Sequence, residues 1–388
     1  MKIVHLIDYF QPALGYQETY LAREQLKLGH CVTVVTSDRY APFPDYDHTV
    51  KAVLGERILT TGRGFEEGIP VWRLPVRFEK RARCWLEGLA KTLDMLQPDV
   101  VHAHGVAKLT SLHAVLLRSS RPYRLLVDDH MHRTNLDQSF SGRLFYFAFR
   151  AIAAPFYRRR VDALAAITDE TAEIVRGVFG LTRPPVQTIE LGVDSELFHR
   201  DDKERALLRW ELGVAADDFL VIYTGKIIPS KAPHLLVQAL AECPTNVKVL
   251  LVGSAGNEYR RTIDELIERH SLDGRVLFRP AVKQVELPRY YSAADAGCWP
   301  RETSMAMLEA AACELPIVVV DEGVEARVRY DNGLQYREGN VAQLSHRLTY
   351  LAEDRLRSRA MGGRGRQLVE DAHSWITINR QFLEAYIA

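Results

Sequence analysis

Trp299-Pro300-Arg301-Glu302-Thr303-Ser304-Met305-Ala306-Met307-Leu308-Glu309-Ala310-Ala311-Ala312-Cys313 reads as the end of a buried strand, a short polar loop, and a helix carrying one carboxylate on an otherwise apolar turn. The first turn of a helix has backbone N–H groups without intrahelical partners and a partial positive charge. Thr303, Ser304 and Met305 are therefore candidates to seat a phosphate or a sugar hydroxyl. Glu309 falls more than one turn into the helix, and a carboxylate buried there needs a polar partner. Two readings of it stand: a local ion pair, or an acceptor of hydrogen bonds from a ligand.

Upstream, Val221-Ile222-Tyr223-Thr224-Gly225-Lys226-Ile227-Ile228-Pro229-Ser230-Lys231-Ala232-Pro233-His234 is an apolar strand that runs out at Gly225. A loop with two lysines follows, then a helix with Pro233 near its start, where proline is tolerated. Two ammonium groups at the C-terminal mouth of a strand suit a diphosphate. Solvated loop lysines are the ordinary alternative. The succession of this unit and the Glu309 helix is more specific than either alone.

Outward from these segments, short apolar β-branched runs alternate with helical patterns. In the first half strands are expected at Lys2–Ile7, Cys31–Thr36, Val100–Ala103, Leu125–Val127 and Leu164–Ile167, with a helix over Glu18–Leu28. The stretch from Thr182 to Asp194 reads as a hinge. The pattern then restarts at Leu220–Thr224, Val247–Val252, Arg275–Phe278, Ala296–Trp299 and Ile317–Val320. Such alternation predicts an α/β fold with two doubly wound parallel sheets. Ligands are expected beyond the carboxyl ends of the strands, in a crevice between the halves.

The 388-residue chain is long enough for two cores, and its 47% apolar and 26% charged residues are those of a globular protein. Lys+Arg and Asp+Glu are equal at 50 each, so no net field argues for nucleic acid. Cys31, Cys84, Cys243, Cys298 and Cys313 form no CxxC pair and read as reduced thiols. Met1–Asp8 reads as a strand rather than a signal peptide, and no apolar run is long enough to span a bilayer. A cytoplasmic location is the expectation.

At this point the residues resemble a known family, the retaining glycosyltransferases of family 4, and the likeness covers nearly the whole chain. Gly15-Tyr16-Gln17-Glu18 is similar to the glycine-rich acceptor-side loop, and Leu28-Gly29-His30-Cys31-Val32-Thr33-Val34 to the turn into the second strand. Pro98-Asp99-Val100-Val101-His102-Ala103-His104 and Leu191-Gly192-Val193-Asp194-Ser195-Glu196-Leu197-Phe198 match two further family segments. Gly225-Lys226 through Lys231-Ala232 resembles the donor-phosphate motif, and Leu308-Glu309-Ala310 through Leu315-Pro316-Ile317-Val318 the segment around the family glutamate.

The resemblance implies a GT-B architecture, with two Rossmann-like domains facing across a cleft. Residues 1–190 would bind the acceptor, residues 191–370 the nucleotide-sugar donor, and a helix in 371–388 would cross back to the first domain. It implies sugar transfer, with retention, from a nucleotide-diphosphate sugar to a hydroxyl of a glycan, lipid-linked or small-molecule acceptor. No metal or other cofactor is implied. Lys226 and Lys231 would hold the leaving diphosphate, beside Gly225 and Val282. Glu309 would accept from the ribose, and Glu302, Thr303, Ser304 and Met305 would line the donor. Gly15, Tyr16, Gln17 and Asp129 would lie on the acceptor side, with His130 near the reacting sugar. The chain departs from the family at several positions. Arg301 stands where many members have a glutamate, with Glu302 one residue later. Lys226 replaces the usual Arg, Ala232 a Gly, and Glu314 a Gly. These departures bear on the donor sugar more than on the reaction class.

Asp45-Tyr46-Asp47 sits in a proline-rich loop and reads as surface rather than as a metal site. His102 and His104 are expected on opposite faces of their strand, and so not to share a metal. A Rossmann-type oxidoreductase lacks support, since Gly15 stands alone after the first strand. A non-catalytic nucleotide- or sugar-binding protein derived from a transferase remains an alternative. The segment from Arg143 to Arg160, rich in aromatics and with only basic charges, reads either as a core-packed helix or as a peripheral contact at the inner face of a membrane. Its apolar residues surround the helix too evenly to predict one amphipathic face.

Overall fold

The computed structural model describes residues 1–43, 45–133, 136–301, 304–321 and 325–388. Glu302 and Thr303 lie outside the described residues. The chain divides into two compact units, Met1–Leu191 with Ile378–Ala388, and Gly192–Thr377.

The first unit contains β1 (Lys2–Leu6), β2 (Cys31–Ser37), β3 (Gly62–Glu66), β4 (Ile69–Leu74), β5 (Val76–Lys80), β6 (Arg83–Leu86), β7 (Val100–His104), β8 (Arg124–Asp129), β9 (Ala163–Ala166) and β10 (Val186–Thr188). Eight of them form one sheet in the order β10-β9-β8-β7-β1-β2-β4-β3, and β5 pairs with β6 as a separate hairpin. Within the sheet only β3 runs antiparallel, against β4. The central strands are buried on both faces because helices cover both, as a parallel sheet requires. The order reverses between β1 and β7, which is the switch point of this unit. The helix Trp375–Ile387 contributes Ile378, Phe382 and Tyr386, a buried stripe at four-residue spacing.

The second unit contains β11 (Phe219–Thr224), β12 (Val247–Val252), β13 (Val276–Arg279), β14 (Ala296–Trp299), β15 (Ile317–Val320) and β16 (Gly333–Tyr336). They form a parallel sheet in the order β13-β12-β11-β14-β15-β16, with its switch point between β11 and β14. The segments Val221–His234 and Trp299–Cys313 therefore leave from the ends of adjacent strands, with Ile222 opposite Gly297. Two glycines permit this packing. A Cβ on Gly297 would meet the Trp299 ring at 2.6 Å, and one on Gly253 would meet the Gly225 carbonyl oxygen at 1.8 Å.

The expected strands are all present within one or two residues of their bounds. β3 to β6, β10 and β16 were not anticipated. β3 is almost wholly exposed and β5 largely so, and neither carries an apolar face to read.

Candidate functional site

Each unit gathers polar side chains at its own switch point. In the second unit, Ser304 caps the helix Met305–Ala312, its hydroxyl accepting from the Ala306 N–H. Glu309 is buried on that helix. Its Oε2 accepts from the Tyr291 hydroxyl at 2.8 Å and its Oε1 from the Gln284 amide at 3.3 Å. Tyr291 is in turn 2.7 Å from the Thr224 hydroxyl at the end of β11, and the Trp299 indole donates to the Thr224 carbonyl at 3.1 Å. These bonds tie the mouth of β11 to the helix after β14. Burial raises the Glu309 carboxyl above its ordinary range, and the Tyr291 and Gln284 donors offset this in part. Of its two sequence readings, the local ion pair is not found among the described residues: the partners of Glu309 there are neutral donors.

Gly225 leaves β11 at φ 138°, a conformation that favours glycine. Lys226 follows, exposed, with its carbonyl accepting from the Tyr223 hydroxyl at 2.7 Å. Lys231 ends the short 3-10 turn Pro229–Lys231, and Ala232 takes the left-handed conformation before the helix Pro233–Leu240. Val282 is half-buried in the loop leading to Gln284. Arg301 points to Glu338, Nε to Oε1 at 2.6 Å.

The first unit holds a buried network centred on Asp128. Its Oδ2 lies 2.8 Å from Gln17 Nε2, 2.9 Å from His104 Nδ1, 3.1 Å from His102 Nε2 and 3.3 Å from His130 Nε2. The network closes on itself. His104 Nε2 meets His5 Nδ1 at 3.0 Å, His5 Nε2 meets Gln25 Oε1 at 2.8 Å, Gln25 Nε2 donates to the Tyr386 hydroxyl at 3.2 Å, and that hydroxyl meets His102 Nδ1 at 2.8 Å. Both ends of this ring arrive at an oxygen that only accepts when ionised. With all three ring histidines neutral, its members supply one proton too few for all six bonds, whatever the tautomers. One of the six contacts is therefore a meeting of two acceptors while the three histidines are neutral.

The electrostatics fit a concentrated anion. Burial would raise Asp128, but the neighbouring His104, His130 and His102 outweigh it and hold the carboxyl well below its ordinary value. Burial holds His5 well below the usual imidazole range and lowers His102 to about 4. His130 goes the other way: burial lowers it, but the adjacent Asp128 charge dominates and raises it. Its side chain is 37% exposed, so an anchored, readily protonated imidazole faces outward.

Gln17 and His130 are thus brought together. Gly15 adopts the left-handed conformation before the helix Gln17–Lys27, and Tyr16 is exposed beside it. Asp129 plays a different part: its carboxylate accepts from the Val106 and Met131 backbone N–H groups, each at 2.8 Å, and shapes the loop that carries His130. The expectation for His102 and His104 is corrected. Residues two apart on a strand share a face, and their rings lie 4.1 Å apart. Among the described residues, His5/His102/His104 and His104/Asp128/His130 present ligand atoms close enough to hold a cation. The same atoms already carry the hydrogen-bond ring, so a cation there would have to displace its protons. Asp47, as expected, is surface and pairs with Lys51 at 3.0 Å.

Sequence reasoning missed Asp128, His5, Tyr291, Gln284 and Glu18 as site residues. Glu18 is buried at the start of its helix, with Oε1 lacking a partner among the described residues, and Gln17 Oε1 is in the same state. Buried unpaired oxygens beside an outward-facing His130 are acceptors awaiting a donor.

The profile of the family Glycosyl transferases group 1 matches residues 204–368, and that of Glycosyltransferase Family 4 matches residues 19–197. The D-inositol 3-phosphate glycosyltransferase of Mycobacteroides abscessus is 30% identical over 337 residues, which is 82% of this chain and 73% of the relative. The same-named protein of Xylanimonas cellulosilytica is 31% identical over 171 residues, 42% of this chain and 41% of the relative. That of Kineococcus radiotolerans is 29% identical over 248 residues, 58% and 57% of the two chains. The chain thus spans about half the length of these last two relatives. Among solved structures, Anabaena HepE in complex with UDP superposes with a TM-score of 0.74 at 20% identity, over 99% of each chain. Sucrose-phosphate synthase from Thermosynechococcus elongatus gives 0.71 at 20% identity, over 100% of this chain and 98% of that one. These likenesses establish a GT-B fold. With one profile on each unit and a relative aligned along most of both chains, the protein belongs to the family 4 glycosyltransferases.

Proposed function

We propose that the protein transfers a sugar from a nucleotide-diphosphate sugar to an acceptor hydroxyl, with retention at the anomeric carbon. The observation that carries this reading is the joining of two strand mouths at the switch point of the second unit. The β11 loop with Lys226 and Lys231 and the Glu309 helix are tied through Thr224 and Tyr291. This is where an open α/β sheet offers its ligand site.

In this reading the second unit holds the donor. Lys226 and Lys231 bind the diphosphate and stabilise the charge that develops as it leaves. The N–H groups beginning the helix Met305–Ala312 add a positive field, so no metal is needed. Glu309 accepts from the ribose hydroxyls. The first unit holds the acceptor, with Gln17, Glu18 and His130 supplying hydrogen bonds to sugar hydroxyls. The departing phosphate oxygen takes the proton of the attacking hydroxyl, which makes positioning and electrostatics the main sources of rate. The acceptor is a glycan, a lipid-linked sugar or a small polyol, in polysaccharide, lipopolysaccharide or glycolipid synthesis.

Uridine is the carrier to try first, since Anabaena HepE was solved with UDP and with UDP-glucose. A thermal-shift series with UDP, GDP and ADP tests the reading. One nucleotide should raise the melting temperature with increasing concentration, by mass action on the folded state. Turnover of the matching nucleotide sugar then separates an enzyme from a binding protein. No stabilisation by any of the three would overturn the donor assignment.

A further inference from the structure

The helical rod from Phe140 to Arg160 is built of an α-helix (Phe140–Ala148), a π turn (Phe149–Ala153) and a second α-helix (Ala154–Arg160). The junction residues Ala148, Phe149 and Ala154 all keep right-handed helical backbone, so the rod is continuous. At about 1.5 Å per residue it is on the order of 30 Å long.

Two of its faces are apolar. The inner one packs Phe149, Ala153 and Tyr157 into the first unit, with Phe149 also against Phe179. The outer one carries Phe140, Leu144 and Phe147, which are 83%, 56% and 70% exposed. In an uninterrupted α-helix that outer stripe would continue at Ala151 and Pro155. The π turn inserts one residue, and the stripe resumes at Ile152 and Phe156 instead, 68% and 38% exposed. The two opposed apolar faces explain why no single amphipathic face is legible in the sequence, and the π turn is what makes the outer stripe unbroken.

The charge along the rod has one sign. Arg143, Arg150, Arg158, Arg159 and Arg160 lie on it, with no Asp or Glu between Asp137 and Asp162. Arg150, Arg158 and Arg160 donate to backbone carbonyls of Gly177, Gly180 and Val115, which fixes the guanidinium groups without neutralising them. Asp137, just before the rod, is paired with Arg81 at 3.6 Å.

From the exposed stripe and its uncompensated cations we infer that this face is a docking surface for an anionic lipid bilayer. The rod lies in the headgroup region, with its aromatic stripe toward the acyl boundary and its arginines on phosphates. No helix among the described residues is long and apolar enough to cross a membrane. A second copy of the chain fits the face poorly, because it would set five arginines against five. The inference is independent of the catalytic reading and rests on this face alone.

The test is co-sedimentation of the full chain with phosphatidylcholine vesicles, with and without phosphatidylglycerol. The expected result is pelleting with anionic vesicles only, weakened by added salt. The pair Arg143→Ala/Arg159→Ala should weaken it by about 30-fold, since each arginine near such a surface contributes about a factor of five. Phe147→Ser/Ile152→Ser should weaken it independently. All four side chains are exposed, so either pair can be read against an unchanged melting curve. No pelleting with anionic vesicles at low salt, or equal pelleting by both variants and the parent, would overturn the inference. So would a dimer in light scattering that Phe147→Ser/Ile152→Ser dissociates, which would assign the face to a second copy.

Discussion

Asp128 Oδ2 accepts from His104 Nδ1 at 2.9 Å, with both side chains buried. This contact joins β8 to β7 and closes a hydrogen-bond ring that runs through β1, the helix Gln17–Lys27 and the C-terminal helix before returning to Asp128. The ring is a scaffold for the group outside it. Asp128 also anchors His130, so the position of His130 depends on residues as distant in sequence as His5 and Tyr386.

Tyr386→Phe opens the ring at one point. The His102 Nδ1 and the Gln25 Nε2 amide each lose their partner inside a core that excludes water. The expected cost is about 1–3 kcal/mol of stability, read from urea denaturation. A loss much smaller than that would mean that the ring re-forms around the missing hydroxyl.

The ring also fixes a pH dependence. His102 is lowered from 6.5 to about 4, so between these values the unfolded chain binds the proton that the folded chain refuses. Its contribution is complete above pH 6.5 and is lost as pH falls towards 4, a change of up to about 3 kcal/mol. His5 is lowered as well and acts in the same sense. His130 is raised, so its contribution is complete below its ordinary value and fades as pH rises through the raised one. Melting temperature should therefore drop steeply on the acid side. In His102→Gln, which keeps a donor and an acceptor, that acid slope should flatten.

Much of this architecture was legible because buried parallel strands announce themselves as β-branched runs, as in β11 and β12. The hairpin β5–β6 was not, because Arg77, Phe78 and Lys80 show an exposed strand without alternation. The donor-side motifs were legible as strand–loop–helix units, each local in sequence. The Asp128 network was not, since individual hydrogen bonds in it join residues as much as 361 positions apart, as between Gln25 and Tyr386. Single histidines on apolar strands carry no mark of a shared partner. The error over His102 and His104 was one of strand parity, and a count of two would have placed them on one face.

Glu309→Gln separates a ligand-binding role from a purely internal one. Both carboxylate oxygens accept internal bonds, so the variant's NH2 must face either the Gln284 amide or the Tyr291 hydroxyl, which would then accept from it and turn its own proton to Thr224. The stability loss should stay near about 1 kcal/mol where Tyr291 turns, and reach about 1–3 kcal/mol only where the NH2 meets Gln284. If the carboxylate also holds the ribose, calorimetric affinity for the nucleoside diphosphate should fall as well, because an amide accepts more weakly. Lower stability with unchanged affinity would leave Glu309 as a tie between the strand mouths.

Metal independence is the expected outcome of chelation. In the proposed site the countercharge for the leaving diphosphate is supplied by ammonium groups and helix N–H donors. Activity should survive EDTA. Loss of activity restored by Mg²⁺ or Mn²⁺ would point instead to a carboxylate-bound cation.

The lysine pair carries the sharpest expectation. Lys226 is exposed on a loop whose backbone is fixed by the Tyr223 hydroxyl and by Gly225, whose N–H donates to the Val252 carbonyl at 3.0 Å. Neither lysine belongs to the buried core, so replacing either should leave the fold intact. Each ammonium group acts most strongly when the diphosphate gains charge on leaving, and so stabilises the transition state more than the bound donor. Lys226→Ala and Lys231→Ala should each lower kcat/KM by about 2–4 kcal/mol, with unchanged circular dichroism. Most of that loss should appear in kcat, since uniform binding would raise KM alone. Near-parental turnover in both variants would remove the lysines from the reaction and, with them, the argument from the β11 mouth.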